Sequence, residues 1–491
     1  MCLFDRKILP GLAAKDKLIQ WISCVDIRRE YPFAGVEFKR LAYSSNESDA
    51  MAARVKFKRS ASPVVPLLPV TIEPGGIRYA PGVRAGRWLF ATGHKGTADF
   101  VSGMAPEVLD AAAPRHREPK TKKEARRIFA NFEKVLKVGG SGRQHVVRVD
   151  QYYTGGPVVP AYHEVRRDFF GGHVPPSTSN LHQKFLLAGQ DMEVQMMAVV
   201  PGKDFEVAQH RPDNLPVHAT SSYSPVLTCG DYVFVAGQTA EAFKTEEGPI
   251  DPAARMPAGH LWKGLPIKLE TDFIIERKLK PALATAGNTL AEVVKAQVYL
   301  RDIDDVPAFN EVWAKHFRKA PPATTIITTA NPGFICEVGR IEINTISVRR
   351  GGKIKKQVID AGVPTAFDGH VQAIRAGDLL FLSGLMAVEK GGVLAASARI
   401  DVCQPYFGST VQLQMEHMLA QAGRICAKAG TSLANILRAQ QFHTNLADFN
   451  AAWQVWDRHL PGRHLPFSAI EVPALAVPGA VVMLDLWVYV P

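Results

Sequence analysis

Cysteine is scarce in this chain of 491 residues: Cys2, Cys24, Cys229, Cys336, Cys403 and Cys426 stand apart, with no CxxC spacing. That excludes a disulfide framework and a zinc site built on cysteine pairs, and scattered thiols suit a reduced, cytoplasmic compartment. Long apolar runs are missing too. None reaches the ~18 residues that span a bilayer, so no membrane partner is expected. The start, MCLFDRKILPGL, sets charges too close to its short apolar stretch to make a secretory signal. His459 and His464 have no third ligand at useful spacing, so RHLPGRHLP reads as a polar turn and no metal is expected.

What is present is ordinary for a globular protein: 46% apolar and 21% charged residues. The length suits roughly three domains of about 150 residues. Basic charge is in excess only toward the N-terminus. Residues 1–60 carry 12 Lys/Arg against 7 Asp/Glu and residues 61–205 carry 19 against 13, whereas residues 206–491 balance at 27 each. The run RHREPKTKKEARR (115–127) is a candidate phosphate-backbone site or a solvated helix start. It lacks the interleaved aromatics that stack bases, which argues against a nucleic-acid partner.

Internal repeats organise the chain. VRAGRWLFATG, LTCGDYVFVAG and IRAGDLLFLSG share one strand pattern, with Gly86, Gly230 and Gly377 spaced 144 and 147 residues apart. An amphipathic helix recurs at the same period, with Phe129, Phe132 and Leu136 on one face. It ends in a glycine suited to a helix C-cap, at Gly140, Gly287 and Gly430. A second helix with aromatic anchors follows (VPAYHEVRRDFF, VPAFNEVWAKHF, LADFNAAWQVWDRHL), then a proline turn and a closing strand. Each copy therefore reads as strand hairpin, helix, strand, helix, strand, an α+β unit with two helices on one face of a mixed sheet. Boundaries are expected near residues 61, 206 and 353. Residues 1–60 fit no repeat and are expected to be a leader, disordered or a start-site artefact, of which residues 1–50 precede Met51, a natural protein start.

The second copy carries SSYSPVLTCGDYVFVAGQTA, AGNTLAEVVKAQVYLRDIDDVPAFNEVW, PPATT and IEINTISV. These segments resemble those of the RidA/YjgF (reactive intermediate deaminase) family, and the resemblance spans nearly all of residues 65–491. It implies a chorismate-mutase-like fold, ligand clefts between neighbouring units, and hydrolysis of small enamines and imines with neither metal nor cofactor. The family is trimeric, so three copies in one chain imply an intramolecular pseudo-trimer, monomeric or assembling only as whole pseudo-trimers. The family tyrosine matches Tyr79 and Tyr223, with His370 in the third copy. Its strand carboxylate matches Glu193 and Glu342, with Met483 in the third. Its glutamine matches Gln238, replaced by His94 in the first. The family arginine is absent: its positions are read as Thr178, Thr324 and Ser468.

The chemistry these residues imply is short. A carboxylate positions or deprotonates water, and an arginine fork would hold a substrate carboxylate. Without the arginine, hydroxyls such as Thr178, Thr324 and Thr325 suit a neutral carbonyl, amide or ring substrate instead. Plainer readings stand beside these. In these the tyrosines cap strands, β alternation alone exposes a Glu at 193 or 342, threonines are ordinary after a proline turn, and His94 is a loop histidine or a base near neutral pH. The expectation is a small-molecule hydrolase with an altered substrate, centred on Glu342, Thr324 and Tyr223. The alternatives are a non-catalytic ligand-binding or protein-protecting module and, from basicity alone, an RNA-associated protein.

Overall fold

The computed structural model describes residues 63–110, 118–218, 220–242, 248–260, 262 and 264–491. The expected leader and the first residues of the basic run lie outside them.

All three repeats fold alike. Each opens with a hairpin whose turn glycine takes a left-handed conformation, φ being 53° at Gly86, 56° at Gly230 and 60° at Gly377, where a Cβ would be strained. The long helix comes next: Lys120–Gly139 in the first repeat, Thr410–Lys428 in the third. In the second, Leu265–Phe273 continues through a wider π-type turn, Ile274–Leu279, into Lys280–Ala284. Pro281 just beyond lacks the N–H an α ladder needs there. The expected core stripe is buried: Phe129, Phe132 and Leu136 are at most 2% exposed. A middle strand follows (Val146–Tyr153, Val293–Leu300, Ile436–His443). Then come the second helix (Val159–Phe170, Val306–Phe317, Phe449–His459), an edge strand (Ser177–Leu181, Ala323–Thr328, Phe467–Glu471) and a closing strand (Met192–Val199, Ile341–Val348, Val482–Tyr489).

The sheet of each repeat has the same order: first strand, hairpin, closing strand, middle strand, edge strand; in the third, Lys184–Phe185 of the first repeat adds a seventh strand beyond the edge. All neighbours run antiparallel except the middle and edge strands. Helices cover one face. The other faces of the three sheets meet in a single buried cluster that includes Trp88 and Phe90 of the first repeat, Tyr232 and Phe234 of the second, and Phe381 and Trp487 of the third. Trp88 lies edge-on to Tyr232 at 4.9 Å and Phe90 edge-on to Trp487 at 6.0 Å. Each such side chain is worth roughly 1.5–3 kcal/mol when buried, so a repeat on its own would expose a large apolar face. This is the pseudo-trimer.

One irregularity positions the clefts. The second hairpin strand slips register against the closing strand between Ala91 and His94 in the first repeat, and between Val235 and Gln238 in the second. Such a bulge bends the strand and re-aims its side chains. In the third repeat the strand ends at Leu382, and only Leu385 bridges on to Leu484.

Candidate active site

At each junction, the bulge and closing strand of one repeat face the edge strand of another. The second repeat meets the first in a cavity of about 590 Å³. The first meets the third around about 190 Å³. The third meets the second around only about 20 Å³.

The large cleft is built round Glu342, on the closing strand. Its residue is 5% exposed, and its Oε1 accepts the Ser179 N–H across the junction at 3.4 Å. Burial pushes its carboxyl up to about 8, with Asp150 and Glu241 adding to the rise against the opposing Ser179 N–H and Arg148. Gly237 makes room for it: a Cβ there would lie 1.7 Å from Oε1. Tyr223 and Glu241 of the second repeat line the cavity with Ser177, Ser179 and Arg167 of the first. Burial, then the Glu342 carboxylate, raises the Tyr223 phenol, so it stays protonated.

Besides Arg167 on its wall, this cleft has a second cation behind it. Arg166 is fully buried behind Ser177, donating from Nη1 to Ser177 Oγ at 3.1 Å and to Gln151 Oε1 at 3.3 Å, and from Nη2 to the Ser221 carbonyl. Its helix position is held by Trp313 and Trp453 in the other repeats, both core residues. An arginine where the other copies keep a tryptophan was the signal in the sequence.

The middle-sized cleft is mainly apolar, with Ile77, Phe100, Phe449 and Phe467 on its walls. Glu193 lies beneath it, fully buried, accepting from Ser468 Oγ and pairing with Lys95 Nζ at 3.4 Å. Burial raises its carboxyl, opposed by Lys95 and Ser468. Tyr79 lines this pocket and donates to the Thr92 carbonyl. The smallest cleft brings Thr324, His370, Leu385 and Met483 together with no carboxylate.

A family profile described as endoribonuclease L-PSP matches residues 73–200, 214–348 and 362–490. The chain belongs to that family. It is the RidA/YjgF family of the sequence resemblance, present in three tandem copies. A RutC family protein of Pyrococcus abyssi is 37% identical over 105 residues, 21% of this chain and 71% of that protein. Protein mmf2, mitochondrial, of Schizosaccharomyces pombe is 29% identical over 125 residues, 26% of this chain and 86% of that protein. Reactive Intermediate Deaminase A, chloroplastic, of Arabidopsis thaliana is 25% identical over 123 residues, 25% of this chain and 60% of that protein. Among solved structures, yeast Mmf1 aligns to 30% of this chain and all of its own, at 23% identity and TM-score 0.24. A chorismatase aligns to 70% of this chain and 93% of its own, at 14% identity and TM-score 0.40.

Against this geometry several expected site residues of the L-PSP repeats move. Thr324 does not join Glu342 and Tyr223. It lies in the smallest cleft, its N–H bonded to Ser383 Oγ at 3.1 Å, because each edge strand serves the neighbouring repeat's bulge and not its own. The arginine register also shifts. Middle-strand residues Asp150, Gln297 and Gln440 pair with Thr178, Thr325 and Ser468, so the level of Thr324 is taken by Ser177 and Phe467 in the other repeats. Thr178 Oγ1 accepts from Asn344 at 3.0 Å, and Thr325 Oγ1 from Lys295 at 2.8 Å; both point into the interior. Gln238 turns back to the Ala236 carbonyl at 3.1 Å. His94 is no base near neutral pH: burial drives it down to about 3, its Nε2 donates to the Pro81 carbonyl at 2.7 Å, and its ring lies 4.4 Å from that of Phe132. His459 pairs with Glu416 at 2.6 Å. Of the basic run, Lys120, Lys122, Arg126 and Arg127 each pair with a carboxylate. Among the described residues no helix is long and apolar enough to cross a membrane.

Proposed function

We propose that the chain is a metal-independent hydrolase of small enamine- or imine-like molecules, working in the cleft between the first and second repeats. The observation that carries this reading is a buried Glu342 beneath an open cavity of about 590 Å³ that Ser177, Ser179 and Tyr223 also line, a combination that none of the other junctions reproduces. A carboxyl with its pKa near 8 is mostly neutral at pH 7, so it acts first as a general acid. It protonates the imine nitrogen; water adds to the electrophilic carbon and gives one proton to the carboxylate; the re-formed carboxyl passes that proton to the amine nitrogen, and as the carboxylate takes the remaining hydroxyl proton the C–N bond breaks, leaving a carbonyl and releasing ammonia. Ser177 Oγ, polarised by Arg166, holds the substrate's polar end, and Tyr223 closes the wall.

The substrate differs from that of arginine-bearing relatives. Ser177, Thr324 and Phe467 stand at one register level and Thr178, Thr325 and Ser468 at the next, and none offers a guanidinium to a carboxylate. Arg166 is committed to protein partners and fully buried, and Arg167, on the helix at the cavity wall and not on the edge strand, donates to the Thr220 carbonyl. Loss of a charged hydrogen bond costs roughly 1.5–3 kcal/mol. We place the chain in the cytoplasm, with repeat boundaries near 61, 206 and 353. The first strands beginning at Val65, Val207 and Lys356 support those boundaries.

The test is ammonia release from a panel of imines generated in situ by an amino-acid oxidase. Activity is expected on imines with a neutral polar end, and little on 2-aminoacrylate-like acids. Preference for the acids would overturn the altered-substrate reading. Saturable binding without turnover of any imine would favour a ligand-binding module, and salt-dependent RNA cleavage would favour a nuclease.

A further inference from the structure

Behind the clefts, where the three sheets meet, lies a charge imbalance that the proposed hydrolysis does not use. Arg148 and Arg438 are 4% and 3% exposed, and both converge on the one carboxylate of Asp150, itself 3% exposed. Arg148 Nη2 lies 2.7 Å from Asp150 Oδ1, and Arg438 Nη1 lies 3.2 Å from Oδ2. The nearby Lys295–Asp485 pair, at 2.7 Å, is balanced in itself. Three interior cations thus face the two carboxylates they pair with, while Glu342, the other buried carboxyl that feels Arg148, is favoured in its neutral form by burial.

A buried charge without a counter-charge is costly. A small void of about 10 Å³ lies at this imbalance, lined by Arg148, Asp150, Gln195, Arg438 and Trp487 among others. It is about the size that admits one water-sized species, too small for sulfate or a carboxylate. The polar groups round it are otherwise unengaged: Arg438 Nε, Trp487 Nε1 and both amide atoms of Gln195 are buried and have no hydrogen-bond partner. Three of these four atoms are N–H donors. Both guanidinium groups stack on the Trp487 ring, at 4.6 Å for Arg438 and 5.7 Å for Arg148, which fixes them around the void.

We infer that this axial pocket, formed by Arg148 and Gln195 of the first repeat with Arg438 and Trp487 of the third, is a binding site for a single halide ion. The ion supplies the missing negative charge and accepts from Arg438 Nε, Trp487 Nε1 and Gln195 Nε2. It binds two repeats to one another, so it stabilises the assembled pseudo-trimer and takes no part in turnover.

The test has two arms. Crystals of the full chain grown in bromide are expected to show an anomalous peak within hydrogen-bond reach of Trp487 Nε1. Density there with no anomalous signal means water, and overturns the inference. In the second arm, thermal unfolding is followed in sodium chloride and in sodium gluconate at equal ionic strength. The midpoint should rise by roughly 2 °C per ten-fold chloride above the dissociation constant and stay flat in gluconate. Trp487→Phe keeps an aromatic face beside the guanidinium groups and removes the indole N–H, and should flatten the chloride response. Equal midpoints in the two salts for the unaltered protein also overturn it. Because neither readout uses substrate, failure here leaves the proposed hydrolysis standing, and the converse.

Discussion

The junction of the first and second repeats and the junction of the second and third are the same joint made twice, yet they differ in nearly every functional property. The former holds about 590 Å³ and the carboxyl of Glu342; the latter holds about 20 Å³ and the thioether of Met483 at the matching strand level. The former has Ser177 backed by Arg166; the latter has Thr324, and the core residue Trp313 holds the helix position that Arg166 occupies in the first repeat. The junction of the first and third repeats lies between, with a carboxyl but tied to Lys95 and Ser468 under apolar walls. Fusing three copies frees each joint to change separately, and packing of the shared sheet core is all that every copy must preserve.

The sharpest way to break the comparison is at the bulge glycine. In Gly237→Ala the new Cβ would sit 1.7 Å from Glu342 Oε1, while in Gly384→Ala the nearest atoms, Met483 Sδ and Thr325 Cγ2, are both at 3.1 Å. Moving the carboxyl by an ångström costs about 100-fold in kcat/KM. Steady-state assays should therefore show about that loss for Gly237→Ala and less than two-fold for Gly384→Ala. Equal losses would mean that the glycines serve only the sheet.

A smaller effect is expected from Ser177→Ala, which removes the cleft hydroxyl and one partner of Arg166. Turnover should fall roughly ten-fold or more, the cost of an unsatisfied buried donor being about 1–3 kcal/mol. Thr324→Ala, in the small cleft, should leave turnover unchanged. The same kinetic assay decides between them, and a larger loss from Thr324→Ala would move the site.

Smallest is a stability effect with a definite sign. Glu342 is raised from 4.5 to about 8 on folding. Between those values the folded chain holds a proton that the unfolded chain has lost, so stability falls as pH rises through this window and the cost is complete above pH 8. Glu342→Gln should remove that slope. Denaturant titrations should find the variant more stable than the parent at pH 9, by about 1–3 kcal/mol once relaxation is allowed for, and not at pH 4. An unchanged difference across the range would show that the carboxyl titrates normally.

The fold was legible because its signals are local and recur. Gly86, Gly230 and Gly377 mark the hairpins, Gly140, Gly287 and Gly430 the helix ends with φ of 76°, 72° and 81°, and the apolar stripes the buried faces. Glu342 and Tyr223 were read from the same repeats, and both line one cavity. What was not legible is which repeat completes which cleft, since that is a property of three-dimensional closure. Thr324 was accordingly expected in the wrong cleft. The one-residue register of Thr178 and Ser468 was hidden because a hydroxyl residue sits at both levels of the first edge strand. His94 follows a bulge, and no alternation pattern tells that its ring turns inward onto Phe132. Arg166 was visible only as an exception to a tryptophan, inside a motif otherwise read as a helix anchor.

The most direct test of the central claim, that one junction does the chemistry, is to compare Glu342→Gln with Glu193→Gln on the first imine found to be turned over. Both changes are nearly isosteric and remove one buried carboxyl each. The account predicts that Glu342→Gln abolishes ammonia release while Glu193→Gln retains it within two-fold. Full activity in Glu342→Gln would contradict it, and loss in Glu193→Gln alone would transfer the site to the junction of the first and third repeats.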